Sequence, residues 1–252
     1  MKGSVAKISL AGLVFTGLLC TSHNDPGERK GNYFTKEQVD SAYDATYQVN
    51  TTVTLEQTVD DDYYLQKSWF GSGTLMVDSK TGDNYIFTAE HVTPDPTYTD
   101  AKTQRTAKVI KERISVKGEE VYLSYEASVF KEDEENDLAL LKIDGSPKDI
   151  NDLPWKSFRG KIALDIDQGD YVIGAGFPKG KKELFNTQVT GIVYNKTYLD
   201  IYMISGNSGG GVYLINNKEL QLCGVVAKTD NIPSLDKVRA FFKGTPLEDD
   251  YL

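Results

Sequence analysis

The pattern that most constrains the fold of this chain is a long succession of short segments with β character. Gln48 to Leu55 places Val49, Val53 and Leu55 on one face of a strand. Further strands are predicted at about 68–77, 84–88, 106–116, 119–130, 138–143, 170–177, 186–194, 198–204, 210–215 and 219–227. So many short strands, with almost no helical pattern between them, indicate antiparallel barrels or sandwiches rather than a parallel sheet. The predicted fold class is all-β.

A short helix is predicted at each end of this β region. Thr35 is the expected N-cap of the first, because Gln38 follows three residues later as in a capping box. The second is expected over about 234–242, with its apolar side chains directed inward. Loop-like residues near 145–160 are the expected boundary between two β halves.

The first 22 residues have the pattern of a secretory signal peptide. Two lysines accompany an apolar run from Ile8 to Leu19, which is short for a membrane span and suits a signal. We therefore predict a secreted, periplasmic or cell-envelope protein. Cys20 resembles a lipoprotein processing site and would carry a lipid anchor, whereas ordinary signal cleavage after Ser22 is the alternative. Residues 23–46 are then a tether and the first helix.

The charge of the chain limits its partners. It has 28 Lys and Arg residues against 37 Asp and Glu residues, a formal net charge of −9. This charge repels phosphate backbones and anionic lipid headgroups, so nucleic acid is not an expected partner. The acidic runs Asp60 to Asp62 and Glu132 to Glu135 lack the spacing of calcium ligands and are interpreted as solvated loops. No cofactor or metal is predicted.

Cysteine use is sparse. Cys20 lies in the signal, so Cys223 is alone in the mature chain and cannot form an intramolecular disulfide. Cys223 lies in an apolar, strand-like segment. We interpret it as a small core residue rather than a nucleophile, because buried thiols are usually inert.

Three segments place a chemically useful side chain at a strand end. The apolar run that begins at Tyr85 stops at His91, and Asp137 directly precedes another apolar strand. Ser208 lies in a glycine-flanked turn, Ser205-Gly-Asn-Ser-Gly-Gly-Gly211, between two predicted strands. His91, Asp137 and Ser208 are therefore the candidate catalytic residues.

These residue types together suit acyl transfer. A serine hydroxyl is a weak nucleophile until an imidazole accepts its proton, and a carboxylate on the other ring nitrogen orients that imidazole. Glycines around Ser208 let the backbone N–H groups of Gly206 and Ser208 converge on a developing oxyanion. Because His23 lies in the tether, His91 is the only imidazole of the folded region, which excludes a His-rich metal site.

The same segments resemble the three signature blocks of trypsin-like serine peptidases, in that family's order. The blocks are Thr88-Ala-Glu-His-Val, Asn136-Asp-Leu-Ala-Leu-Leu-Lys and Gly206-Asn-Ser-Gly-Gly. Supporting matches to the bacterial Deg/HtrA-type branch are Gly71-Ser-Gly-Thr-Leu, Gly176-Phe-Pro-Lys-Gly and Thr187-Gln-Val-Thr-Gly-Ile-Val. The likeness spans roughly residues 47–230.

The resemblance implies two six-stranded antiparallel β-barrels with the active site between them. The first barrel, predicted at 47–150, would supply His91 and Asp137, and the second, predicted at 151–252, would supply Ser208. It also implies that a peptide or protein substrate binds as an added β-strand.

The chain departs from the family pattern in three respects. Asn207 replaces an aspartate that pairs with a newly cut N-terminus in digestive members, so zymogen activation is not expected. Glu90 replaces a small residue before the histidine and either faces solvent or perturbs His91. No segment with a PDZ pattern follows, so a PDZ-type partner domain is not expected.

Specificity follows only from the resemblance, which implies a primary pocket built from 202–205 and the strand near Val225 to Lys228. Tyr202 and Met203 bring no acidic residue to that pocket, so we expect an apolar or small residue there rather than Arg or Lys. Lys228 could instead bind an acidic side chain, or be an exposed residue at a strand end.

Two other functions use the same residues. A peptidase fold without turnover would be a catalytically silent peptide-binding or protein-binding module, although all three triad positions are filled here. An esterase would place Ser208 in a strand-to-helix elbow, whereas a strand is predicted after Ser208. The main prediction is a serine endopeptidase.

Overall fold

The computed structural model describes residues 34–56, 65–99, 106–119, 124–145, 155–193, 196–200, 204–227 and 231–252. Strands dominate these residues, which confirms the predicted all-β fold class. The proposed signal, Cys20, and the run from Asp60 to Asp62 lie outside the described residues. The compact unit of the chain extends over Asn32–Leu252.

The first sheet is a closed six-stranded antiparallel barrel with one added strand. Its strands are β1 Thr46–Leu55, β2 Leu65–Val77, β3 Asn84–Thr88, β4 Thr97–Thr99, β5 Thr106–Lys117, β6 Ser124–Asp133 and β7 Leu138–Ile143. They follow the order β1-β2-β3-β7-β6-β5-β4, and the pairing of β1 with β5 closes the barrel. Val49, Val53 and Leu55 are all buried, as their alternation predicts.

The second sheet is a curled antiparallel half-barrel of six strands. Its strands are β8 Tyr171–Gly176, β9 Glu183–Val193, β10 Lys196–Leu199, β11 Gly211–Asn216, β12 Glu219–Val225 and β13 Asn231–Pro233. Their order is β12-β11-β8-β9-β10-β13. The two sheets therefore share a strand count, but pairings among the described residues close only the first of them.

The described residues also form three short α-helices: α1 Lys36–Asp44, α2 Leu235–Phe242 and α3 Glu248–Tyr251. The capping box of α1 is confirmed, because Gln38 N–H donates to Thr35 Oγ1 and Thr35 N–H donates to Gln38 Oε1. Helix α2 is also confirmed, and it buries Leu235, Val238, Phe241 and Phe242. In the part of the chain that the structure covers, no helix has the length and apolar character to cross a membrane.

The hydrophobic core has three parts. One fills the first barrel and includes Val49 and Ile86, and another lines the second sheet and includes Val212. The third lies between the two sheets, where Phe87 of β3 and Tyr213 of β11 meet residues of α2 and α3. Apolar burial against both sheets therefore holds the two halves together at the level of the site.

Three of the numbered elements were not predicted from the sequence: β4, β13 and α3. They have three, three and four residues, which is too short for a periodic pattern to indicate them. Strand ends also differ, because hydrogen-bond pairing decides them. Strand β6 continues to Asp133, past the predicted end near 130, because Asp133 still pairs with Leu138 of β7.

Candidate active site

His91 lies in a 3₁₀ turn, Glu90–Val92, directly after β3. Every residue of β3 is buried, so His91 comes where the chain leaves the barrel interior. Thr93 closes the turn, because its N–H and its hydroxyl both donate to the Glu90 carbonyl oxygen, at 2.7 and 2.6 Å. The main chain on both sides of His91 is therefore held.

Asp137 occupies a left-handed backbone conformation with φ of 55° at the end of a tight turn. Asp and Asn adopt this conformation more readily than other residues that carry a Cβ. Asp133 holds the preceding residue, since its carboxylate accepts from both the backbone N–H and the side-chain amide of Asn136, at 3.1 and 2.8 Å. The turn therefore directs Asp137 before β7 begins.

Strand pairing brings His91 and Asp137 together. Strands β3 and β7 are antiparallel neighbours, and Thr88 pairs with Ala139 at one end of their ladder. His91 follows Thr88 and Asp137 precedes Ala139, so both residues emerge at the same end of the barrel. As predicted from the sequence, His91 follows the end of one apolar strand and Asp137 precedes the start of another, and in an antiparallel pair these two ends lie side by side.

The contact between the two side chains is direct. His91 Nδ1 lies 2.9 Å from both Oδ1 and Oδ2 of Asp137, and the His91 backbone N–H donates to Oδ1 at 3.0 Å. A carboxylate only accepts hydrogen bonds, so Nδ1 carries a hydrogen, and in a neutral ring the lone pair is then on Nε2. The His91 side chain is 21% exposed, so solvent reaches the ring.

Ser208 lies in the turn before β11, close to the end of β3. Its carbonyl oxygen accepts the Ser72 N–H at 2.7 Å. A Cβ at Gly71 would come within 2.6 Å of Val92 and 2.7 Å of the Ser208 carbonyl oxygen, so the serine turn and the histidine turn both pack on this glycine. Within the described ranges, no hydrogen bond joins Ser208 Oγ to the His91 ring.

Several main-chain N–H groups of the serine turn bind no other group in the described part of the protein. Among residues 204–227 and their described neighbours, the N–H groups of Gly206 and Ser208 have no protein acceptor. Those of Asn207, Gly209 and Gly210 donate to carbonyl oxygens. Gly206 has φ of 102°, which a residue with a Cβ rarely adopts. Both predicted oxyanion donors are therefore N–H groups without an acceptor in the described structure, as is the N–H of Ser205.

Asn207 is buried beneath this turn. It is 5% exposed, and within the described structure its Oδ1 atom is buried without a hydrogen-bond partner. A Cβ at Gly176 would lie 2.8 Å from that oxygen, so the end of β8 packs directly on the amide. The expectation that Asn207 disfavours zymogen activation stays a prediction.

Glu90 corrects one of the two alternatives from the sequence. It is 6% exposed, so the solvent-facing interpretation of its carboxylate is wrong. The residue lies inside the 3₁₀ turn, whose backbone hydrogen bonds direct it inward. Glu132, in the acidic run predicted from the sequence, also has a structural contact, because its Oε1 lies 2.7 Å from Thr93 Oγ1.

Cys223 has the environment predicted for a core residue. It is fully buried and unpaired with another cysteine. Burial raises the pKa of its thiol well above the ordinary value, and the nearby Asp170 carboxylate raises it further. The thiol therefore stays protonated at neutral pH and is a poor nucleophile.

The predicted specificity residues Tyr202 and Lys228 lie outside the described residues, so their roles stay predictions. Ser72 and Thr88 were not singled out from the sequence. Ser72 Oγ donates to the Gly206 carbonyl oxygen in the serine turn, and Thr88 Oγ1 donates to the Ser72 carbonyl oxygen. For Ser72, the available signal was a small polar residue between two glycines, Gly71 and Gly73. In the described segments, no cluster of three or more His, Cys, Asp or Glu residues could hold a metal ion.

The comparison with protein families agrees with this geometry. The family model described as the trypsin-like peptidase domain matches residues 71–225, which include His91, Asp137 and Ser208. No curated protein matches the sequence. Because the matched range is more than half of the 252-residue chain, the chain belongs to the trypsin-like peptidase family.

Proposed function

We propose that this protein is a serine endopeptidase in which His91, Asp137 and Ser208 form the catalytic triad. The observation that supports it most is the 2.9 Å contact of His91 Nδ1 with Asp137, at the barrel end against which the Ser208 turn packs. The unused N–H groups of Gly206 and Ser208 complete the set of groups that acyl transfer needs.

In the first half-reaction, Ser208 Oγ attacks the carbonyl carbon of the scissile peptide bond. His91 Nε2 takes the hydroxyl proton, and the carbonyl oxygen becomes an oxyanion that accepts from the Gly206 and Ser208 N–H groups. The C–N bond then breaks, His91 gives its proton to the leaving amine, and the acyl group stays on Ser208. In the second half-reaction water attacks that ester, with His91 again as base and then as acid.

Asp137 serves this cycle without changing its own protonation. Its carboxylate holds the tautomer in which Nε2 is the base, and it stabilises the imidazolium that forms twice in each turnover. Each oxyanion donor contributes about 3–4 kcal/mol to transition-state stabilisation in enzymes of this type. The N–H groups need no reorganisation for this role, because their peptide units are already held.

Substrate and location are proposed from the resemblance and the sequence. A peptide or protein would bind as an added strand, and Tyr202 and Lys228 would contribute to the primary pocket. The chain would be exported through its first 22 residues, with Cys20 as the lipid-bearing residue in the anchored form. The acidic charge of the chain argues against a nucleic-acid partner.

A peptidase fold that binds peptides without cleaving them is the second candidate. It is favoured by one observation, the lack of a hydrogen bond from Ser208 Oγ to the His91 ring among the described contacts. Catalytic hydrogen bonds often tighten only when substrate binds, so this observation does not exclude turnover. The esterase alternative is weakened, because strand β11 rather than a helix follows Ser208.

The decisive experiment labels the protein with a fluorophosphonate probe and profiles its cleavage of a peptide library. Labelling and cleavage are both expected in the wild type and both lost in Ser208→Ala and His91→Ala. Ser124→Ala, an exposed serine on β6 outside the candidate site, is the control and should retain both. A wild type that is folded but neither labelled nor active would support the binding module instead.

A further inference from the structure

Ser72 is a buried serine on β2 of the first barrel, and it makes four hydrogen bonds. Its N–H donates to the Ser208 carbonyl oxygen at 2.7 Å, and its Oγ donates to the Gly206 carbonyl oxygen at 2.6 Å. Its Oγ also accepts the Phe177 N–H at 2.8 Å, and its carbonyl oxygen accepts from Thr88 Oγ1 at 2.6 Å. One residue of the first sheet is thus bound to three segments around the site.

The hydrogen bonds of Ser72 act on the turn that carries the proposed oxyanion donors. Every carbonyl from Ile204 to Ser208 accepts a hydrogen bond from the protein. Local backbone N–H groups or Lys179 supply three of these bonds, and Ser72 supplies the bonds to Gly206 and Ser208. The peptide units next to the Ser208 N–H are therefore restrained from the opposite sheet.

Ser72 also connects this turn to the histidine. Thr88, which bonds to the Ser72 carbonyl oxygen, is the last residue of β3, and His91 follows in the next turn. The same main-chain unit of β2 thus contacts the serine turn on one side and the approach to His91 on the other. A displacement of Ser72 would move the two groups relative to each other.

We propose that Ser72 is a positioning residue that aligns the Gly206 and Ser208 N–H groups with His91 for oxyanion stabilisation. This inference rests on the proposed peptidase function. The hydroxyl is required because it donates and accepts at once, which alanine cannot do. Ser72 is fully buried, so its loss affects the transition state through the turn and not through a contact with substrate.

The test compares Ser72→Ala with Thr74→Val. Thr74 is the matched control, because it is a buried hydroxyl on the same strand and also reaches the second sheet, at 3.0 Å from Tyr213 OH. We expect Ser72→Ala to lower kcat about 10- to 100-fold, as a displaced catalytic geometry does, with KM within about twofold. Thr74→Val should keep kcat within about twofold of the wild type. If Ser72→Ala does not fold, Ser72→Cys takes its place, because a thiol is a weaker donor of similar shape.

Amide hydrogen exchange of residues 204–210 in the same variants separates this inference from the proposed function. Faster exchange there in the Ser72 variant than in Thr74→Val supports the positioning role. A kcat equal to that of Thr74→Val would overturn it. If the folded wild type has no Ser208-dependent turnover, the peptidase proposal fails, and the inference is then decided by exchange alone, with equal exchange in both variants counting against it.

Discussion

The two sheets contribute to the candidate site in different ways. The closed first barrel supplies side chains, His91 and Asp137, which meet because β3 and β7 are adjacent and antiparallel. The glycine-rich turn before β11 of the curled second sheet contains the candidate nucleophile, Ser208, and the candidate main-chain donors. Side-chain chemistry therefore depends here on strand register, whereas main-chain chemistry depends on a backbone conformation that glycine permits.

The difference extends to how each group is held. Contacts within one sheet fix the His91–Asp137 pair, but the serine turn is restrained by Ser72 of the other sheet. The serine turn is thus hydrogen-bonded in part to the closed barrel, through Ser72. A change in the first sheet can impair both halves of the site, and a change in the second sheet should impair only one.

The largest effect is expected from a substitution of Asp137, the carboxylate that the first barrel contributes to the candidate site. Asp137→Asn should lower kcat about 10⁴-fold, because the amide no longer holds the tautomer with a free Nε2. Steady-state kinetics on a peptide substrate would measure it. Asp144→Asn, at the other end of β7, is the control and should keep its activity. Full activity in Asp137→Asn would mean that the pair is structural and not part of a triad.

A change to the second sheet should have a smaller effect on turnover. Gly206→Ala should lower kcat about 10²- to 10³-fold, similar to the loss of one oxyanion donor. Its Cβ would lie 2.2 Å from the Phe177 carbonyl oxygen, at φ of 102°, so the turn must shift. Gly191→Ala, where a Cβ meets nothing within 4 Å, is the control on β9. An unchanged kcat in Gly206→Ala would show that the Gly206 N–H is not an oxyanion donor.

The packing between the two sheets, in which α3 takes part, can be weakened by a substitution outside the candidate site. Tyr251 OH accepts the Val77 N–H at 2.9 Å and donates to the Phe158 carbonyl oxygen at 3.0 Å. Tyr251→Phe should reduce the free energy of unfolding by about 1–3 kcal/mol, because buried partners lose their hydrogen bonds. Urea unfolding would measure it. Loss of activity without loss of stability would contradict this assignment.

The same tyrosine makes the stability of the protein sensitive to alkaline pH. Burial raises the pKa of Tyr251 from 10.0 to about 12 in the folded protein. Its contribution to stability is therefore complete below pH 10 and is lost as the pH rises towards 12. The free energy of unfolding, measured between pH 10 and pH 12, should fall less steeply with pH in Tyr251→Phe than in the wild type.

The smallest effect is expected at α1, which reaches the second sheet. Gln38 Nε2 donates to the Lys218 carbonyl oxygen at 2.7 Å in the turn after β11, in addition to its capping bond. Gln38→Ala should cost about 0.5–2 kcal/mol of stability, the range for a lost helix cap. Glu37→Ala, an exposed neighbour, is the control. Equal thermal midpoints in the two variants would show that the cap contributes nothing.

Local pattern explains which elements could be predicted. The α1 capping box, β3, β7 and α2 match the structure within a residue or so, because capping residues and apolar runs mark them directly. β4 and β13 could not be predicted, because three residues carry no period and these strands exist only as partners of β5 and β10. The burial of Glu90 was not predicted, because no local sequence pattern around it indicates a buried carboxylate.

The sequence by itself determined the fold class, the candidate residues and the glycines that a turn such as Gly206 requires, because these depend on residue type and short-range pattern. Only the tertiary structure decided the His91–Asp137 contact, the closure of one sheet and the hydrogen bonds of Ser72 to the serine turn. Each of these joins residues that are distant along the chain. Their distances are set by strand pairing and by packing between the sheets, which no local pattern encodes.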